Sequence, residues 1–318
     1  MAEHRLDVGV ATLLAQSGLR IVVTGAGGWL GLATLDLLHK ALGDDFAKRV
    51  CAFGSTARVL RLADGTPVLQ RPLADMAWLP SAPTLVLHLA FLTKDRADSM
   101  DEAAYRAANQ AISATVLNAL GPIGAIGLFL ASSGAAALAD DPAASDAMRR
   151  YGAMKRDDEI SFTRWADDHQ HRAVILRIHN LTGPYMNKPQ AYALASFMGD
   201  ALAGRPIAVR APRRVVRGYV AIREMMSLVL AMLLDESCGV RQLDTGGEPM
   251  ELAEVAQAIA NALPGAQVQR AAITQPQADI YHGNARPYAA ALAAYDIAGV
   301  DMDGQLSEAL AYFAAQTP

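Results

Sequence analysis

Cysteine is almost missing from this chain, which has only Cys51 and Cys238. Two such distant thiols make neither a disulfide framework nor a metal-type spacing, so a stapled secreted scaffold and a zinc module are excluded. A dominant charge is missing too. Lys and Arg total 28 against 32 Asp and Glu, a formal net charge of −4. No basic footprint for nucleic acid or an anionic membrane follows from that balance. Met1 to Arg20 holds Glu3, His4, Arg5 and Asp7 and lacks the basic-then-apolar layout of a signal peptide. The expectation is a soluble cytoplasmic protein, without repeats or low-complexity linkers.

One stretch needs a membrane check. From Ala107 to Ala139 no side chain is charged, which exceeds the length of a spanning helix. Asn109, Gln110, Ser113, Asn118, Ser132 and Ser133 are spread through it, and Gly121-Pro122 breaks a continuous helix. The reading is a buried helix followed by a buried strand at Ile126 to Ala131, with no membrane partner.

What is present is alternation. Strand-like runs at Arg20–Thr24, Val50–Phe53, Val68–Gln70, Thr84–Ala90, Ile126–Ala131 and Ala173–Ile178 alternate with helical stretches. The helical stretches include Leu30–Leu42, Met100–Leu120 and Arg150–Asp168. This predicts an α/β fold, a Rossmann-type doubly wound parallel sheet with a smaller C-terminal substrate-binding lobe. The dinucleotide-binding domain is expected over residues 1–179, with about 215–247 returning to it. Residues 180–318 are then mainly the lobe, closing over a cleft, with helices near Ala191–Ala203, Glu251–Leu263 and Gly304–Ala314.

The first strand runs into Thr24-Gly25-Ala26-Gly27-Gly28-Trp29-Leu30-Gly31. In a strand–turn–helix setting Gly25 permits the tight turn, Gly28 lets backbone approach a pyrophosphate, and Gly31 allows close helix–strand packing. Residues Gly25, Gly27, Gly28, Trp29, Leu30 and Gly31 are therefore cofactor-binding candidates. An NAD site usually ends the second strand in Asp or Glu, but here Gly54-Ser55-Thr56-Ala57-Arg58 follows. Ser55 and Arg58 suit a 2′-phosphate, so NADP is the expected cofactor, with NAD the alternative.

Ser133 ends a predicted strand, and Tyr151-Gly152-Ala153-Met154-Lys155 lies on a predicted helix. Tyr151 and Lys155, four apart, share one helix face. A phenol beside an ammonium is a usable acid or base, Lys155 can also hold the cofactor ribose, and Ser133 can hold the reacting oxygen. His88, in an apolar strand, reads as a packed core histidine rather than an acid–base group.

With these pieces in order, the chain resembles the extended short-chain dehydrogenase/reductase family, in its nucleotide-sugar epimerase, dehydratase and reductase branch. The glycine turn is similar to its TGxxGxxG, and Leu87-His88-Leu89-Ala90 to its fourth strand, placing Leu89 and Ala90 beside the cofactor. The resemblance implies Ser133, Tyr151 and Lys155 as the catalytic triad and Asn109 as its support. Asn180 in Asn180-Leu181-Thr182-Gly183-Pro184 and Arg217 in Arg217-Gly218-Tyr219-Val220 become substrate contacts, Arg217 toward a diphosphate, with Thr93 a further contact. A homodimer built on the helices around Met100–Leu120 and Arg150–Asp168 is implied as well.

There are departures. Arg71-Pro72 stands where the family often has Gly-Asp beside adenine. Gly134-Ala135 follows Ser133 where the family's dehydratases need an Asp–Glu pair, which argues against 4,6-dehydration. Two reactions on a nucleotide-sugar substrate remain: NADPH reduction of a 4-keto-deoxy sugar nucleotide, preferred on the second-strand residues, and NAD-dependent 4-epimerisation. A cofactor-sensing scaffold is the non-enzyme alternative, opposed by the intact Ser133, Tyr151 and Lys155.

Overall fold

The computed structural model describes residues 3–92, 100–186 and 192–316. It divides into two compact units: Leu6–Ile178 with Met226–Leu243, and Met1–Arg5 with His179–Met225 and Asp244–Pro318.

The first unit is a doubly wound α/β sheet. Its strands are β1 (Arg20–Thr24), β2 (Val50–Gly54), β3 (Arg58–Arg61), β4 (Pro67–Pro72), β5 (Thr84–His88), β6 (Ala125–Ser133) and β7 (Arg172–Ile178), with Val240–Asp244 at one edge. Its main helices are α1 (Val8–Gln16), α2 (Trp29–Leu42), α3 (Phe46–Arg49), α4 (Glu102–Leu120) and α5 (Asp146–His169). The strand order is Val240–Asp244, β7, β6, β5, β1, β2, β4, β3. Pairings from β7 to β4 are parallel, whereas β3 runs antiparallel to β4. The chain steps outward from β1 on both sides, so the crevice for a ligand lies where β1 and β5 diverge. Thr24 pairs there with both Phe53 and His88.

β1 forms because Ile21, Val22 and Val23 are β-branched and wholly buried. One face of the sheet packs Val22, Phe53, Val86, Leu128, Leu130 and Ile175 against Val116 and Leu120 of α4 and Phe162 and Trp165 of α5. Ser145 caps α5 by accepting from Met148 N at 3.3 Å, and the helix ends at Gln170, which is left-handed at φ 53°. The charge-free stretch is the end of α4 and β6, as expected, and no described helix is long and apolar enough to cross a membrane.

Three elements differ from the sequence reading. α1 is present, capped by Asp7, whose Oδ1 accepts from Gly9 N at 2.9 Å. The edge strand β3, opened by Arg58, is present although no strand was expected there. The segment belonging to the first unit is 226–243 rather than 215–247. The strand Val215–Ala221 instead pairs with Asn180–Thr182, Pro249–Glu251 and Asp279–Tyr281 inside the second unit.

The second unit has its own core. Leu194, Phe197 and Met198 of the helix Ala193–Leu202 meet Val255, Ala256 and Ile259 of Leu252–Ala262 and Leu306, Ala309 and Leu310 of Met302–Gln316. Glu251 and Glu254 form a reciprocal cap at the start of Leu252–Ala262, each bond 2.7 Å.

Candidate active site

The glycine turn is built by exclusion of side chains. Gly25 is left-handed at φ 68°, and a Cβ there would lie 2.7 Å from Ala90 N. A Cβ on Gly31 would lie 2.3 Å from Gly25 O, so α2 approaches the turn only because that residue is glycine. Thr24 ties β5 to the turn: its Oγ1 accepts from Leu89 N at 3.2 Å and Ala90 N at 3.3 Å. The same hydroxyl bonds His88 Nδ1 at 2.8 Å. His88 is buried against Phe162, and burial pushes its pKa down to about 3, so it is neutral and structural, as expected. Gly28 precedes α2 without capping it by a side chain. Trp29 and Leu30 then open the helix half-buried. This cradle, with bare amides at a helix start, fits a dinucleotide pyrophosphate.

The end of β2 carries no acid. Ser55 is exposed, and Arg58 Nη2 donates to Gly27 O at 3.3 Å. A Cβ on Gly27 would lie 1.7 Å from that Nη2 and 2.8 Å from Gln70 Oε1. Gln70, on β4, was invisible to sequence reasoning because its place depends on the β2–β4 register, Ala52 opposite Gln70.

Ser133 ends β6, and its Oγ accepts from Ala135 N at 3.2 Å. A Cβ on Gly152 would lie 2.0 Å from Ala135 O. The glycine therefore lets α5 rest directly on the turn after Ser133, which brings the Tyr151 end of the helix there. Lys155, 5% exposed, donates to Ala131 O at 2.9 Å. Its Nζ lies 3.7 Å from the Phe91 ring centre, and Phe91 meets the Tyr151 ring edge-on at 5.6 Å. Burial pushes the Lys155 pKa down to about 8, opposed by the charges of Asp158 and Glu159. Burial likewise raises the Asp158 carboxyl, which accepts from Ser113 Oγ at 2.6 Å. Glu159 accepts from Ser132 Oγ at 2.5 Å, from Arg177 at 2.9 and 2.7 Å, and from Gln242 at 3.0 Å. That network ties α5 to β6 and β7.

Asn109 is buried and holds backbone. Its Oδ1 accepts from Leu92 N at 2.8 Å, and Tyr105 OH donates to Leu92 O at 2.6 Å. The two side chains fix the segment that carries Phe91, a residue the sequence reading overlooked. Thr93 lies outside the described residues.

In the second unit, Asn180 is half-buried and ties strands together. Its Nδ2 donates to Gly218 O at 3.2 Å and Tyr281 O at 3.3 Å. Arg217 sets its fork on Asp279 with two bonds of 3.1 Å and is 20% exposed. Among the described residues no group of three His, Cys, Asp or Glu has metal-binding geometry.

The fold is similar to solved nucleotide-sugar enzymes. The UDP-N-acetylglucosamine 4-epimerase from Methanobrevibacter ruminantium M1, in complex with UDP-N-acetylmuramic acid, is 18% identical at a TM-score of 0.72, covering 94% of this chain and 99% of that one. The UDP-glucose 4-epimerase from Thermus thermophilus, in complex with NAD, is 22% identical at 0.68, covering 94% and 100%. The UDP-glucuronic acid 4-epimerase from Bacillus cereus, with UDP-4-deoxy-4-fluoro-glucuronic acid and NAD, is 15% identical at 0.69, covering 94% and 100%. No curated protein sequence matches significantly. The model of the NAD dependent epimerase/dehydratase family matches residues 21–242. The chain belongs to that family and is an enzyme of the extended short-chain dehydrogenase/reductase superfamily.

Proposed function

We propose that the protein is an NAD-dependent 4-epimerase of a nucleotide-linked sugar. The observation that carries this reading is the buried Lys155 ammonium, one helical turn from Tyr151 on the helix that rests on the turn after Ser133. It is supported by the family and by folds of similar proteins solved with NAD and UDP-sugars. Reduction, the preference drawn from the second strand alone, becomes the second reading, and Arg58 over Gly27 is the observation in its favour. Gly134-Ala135 after Ser133 leaves no acid–base pair for dehydration.

Bound NAD would supply a reversible hydride acceptor, held by the cradle of Gly25, Gly28 and Gly31. Tyr151 takes the proton of the sugar 4-hydroxyl and returns it after the sugar has turned over. Lys155 places a positive charge one helical turn from the phenol, where it stabilises the negative charge that forms as the proton moves. Ser133 holds the reacting oxygen by a hydrogen bond. Arg217, its fork held on Asp279, takes the substrate diphosphate by the remaining N–H groups of the guanidinium. A homodimer built on α4 and α5, as the family resemblance implies, belongs to the same reading.

The test is to incubate the full chain with UDP-glucose, UDP-N-acetylglucosamine and UDP-glucuronate, each alone, and resolve C4 epimers. Interconversion without added NADPH is expected. Stoichiometric oxidation of NADPH by a 4-keto sugar nucleotide, with no epimer formed, establishes the reductase instead.

A further inference from the structure

Gly27 and Gly54 both lack a side chain; Gln70 of β4 fills the space beside Gly54, and Arg58 Nη2 of β3 with Gln70 Oε1 behind it fills the space beside Gly27. A Cβ on Gly54 would lie 2.5 Å from Gln70 Oε1, and one on Gly27 would lie 2.8 Å from the same atom. Gln70 is 1% exposed. Its Nε2 donates to Thr56 O at 2.7 Å, and this fixes which way the amide faces, because a carbonyl can only accept. Oε1 thereby faces Gly27, buried and without a hydrogen-bond partner. A buried amide oxygen left in that state is costly until a donor reaches it.

The position identifies the donor. Oε1 lies beside the glycine turn at the carboxyl end of β2, where doubly wound sheets take the adenosine ribose and where an acid normally accepts its hydroxyls. Here β2 runs out through Phe53, Gly54, Ser55 and Thr56 with no acid among them. We propose that Gln70 supplies the missing acceptor from the neighbouring strand, taking a hydrogen bond from the adenosine ribose 2′-hydroxyl and so setting the preference for NAD over NADP. The proposal deepens the NAD reading above and rests on it.

The discrimination follows from hydrogen-bond polarity. A 2′-hydroxyl is a donor and satisfies Oε1. A 2′-phosphate is a set of anionic acceptors, which leaves Oε1 unpaired and faces its lone pairs. Arg58 works in the opposite sense, because its guanidinium beside Gly27 offers donors to a phosphate. An uncharged amide repels phosphate less than a carboxylate does, so the preference is graded.

Calorimetric titration of the full chain with NAD and with NADP tests this without sugar turnover. The wild type should bind NAD about tenfold more tightly than NADP. Gln70→Leu should weaken NAD by about tenfold and leave NADP unchanged, removing the preference. Arg58→Ala should weaken NADP alone. Unchanged NAD affinity in Gln70→Leu, or equal loss of both cofactors, overturns the proposal. If that variant does not fold, Gln70→Glu decides: NADP must fall relative to NAD, and a wild-type ratio overturns the assignment. A chain that binds NAD through Gln70 yet interconverts no epimers sinks the proposed reaction and leaves the Gln70 assignment standing.

Discussion

The Lys155 ammonium lies 3.7 Å from the centre of the Phe91 ring, whose edge-on neighbour is Tyr151 at 5.6 Å. A cation over a ring face in a buried site is worth about 2 kcal/mol, and that stabilisation belongs to the charged form of the lysine alone. Phe91 thus opposes the desolvation that pushes Lys155 down to about 8. Asn109 and Tyr105 serve this arrangement by holding Leu92 on both sides of its peptide.

Phe91→Leu should therefore lower the Lys155 pKa further, by about one unit. On the proposed mechanism the active form needs the charged lysine, so activity should fall as pH rises through that pKa. The alkaline limb of kcat/KM, which reports the free enzyme, should move to lower pH in the variant. A profile identical to wild type would remove Phe91 from the electrostatics of the site and leave it a packing residue.

Lys155 also sets a conflict between function and stability. Its folded pKa is about 8 against an ordinary 10.5, so the unfolded chain binds the extra proton between those values. Stability therefore rises with pH across that window, and below pH 8 the full penalty of burying the charge is present. Lys155→Met should stabilise the fold at pH 7 by up to ~3 kcal/mol, less the bond to Ala131 O. The gain should fade toward pH 10.5. Urea unfolding at about pH 7 and about pH 10 measures the difference, while cofactor affinity and turnover fall. A variant less stable than wild type near neutral pH would mean that the cation–π contact and hydrogen bond outweigh desolvation.

Tyr151→Phe removes one oxygen and keeps the ring that meets Phe91. NAD affinity should be retained and turnover should drop by on the order of 100- to 10,000-fold. Near-normal turnover would show that another group moves the proton.

The parts legible in the sequence are those set by local period and backbone geometry. The β1 run, the glycine turn and the four-residue spacing of Tyr151 and Lys155 each announce themselves within one element. The helix Ile222–Leu234 does not, because Met225, Met226, Leu228, Val229 and Leu230 are buried in succession and leave no amphipathic period. β3 is a four-residue edge strand with a single buried position, Leu60, too little pattern to read. Gln70 and Phe91 join the site through strand register and loop packing, which spacing along the chain does not encode. The same holds for Asn180, whose motif is visible but whose amide ties neighbouring strands.

Arg217 keeps its fork flat against Asp279, so the guanidinium is oriented by the protein before substrate arrives. Arg217→Ala should raise the sugar nucleotide's KM by about tenfold or more, while NAD affinity stays at the wild-type value. Asp279→Asn should have a smaller effect in the same direction, since it loosens the fork without removing it. If Arg217→Ala leaves KM unchanged, the residue is structural and the diphosphate binds elsewhere.

Gly152 gives the most local test of how the triad is assembled. An alanine there would bring its Cβ to 2.0 Å from Ala135 O, and the obstacle is backbone, which cannot swing aside as a side chain does. Either α5 lifts from the turn after Ser133 or the turn moves, and both displace Tyr151 from Ser133. Overpacking of this kind costs about 1–3 kcal/mol, which a two-unit chain of this size can survive folded. The expected result for Gly152→Ala is a protein with a lowered melting temperature, near-normal NAD binding at the glycine turn, and turnover reduced by about 100-fold or more from misplaced acid–base groups. Full activity in that variant would mean that α5 need not rest on Ala135 for the chemistry.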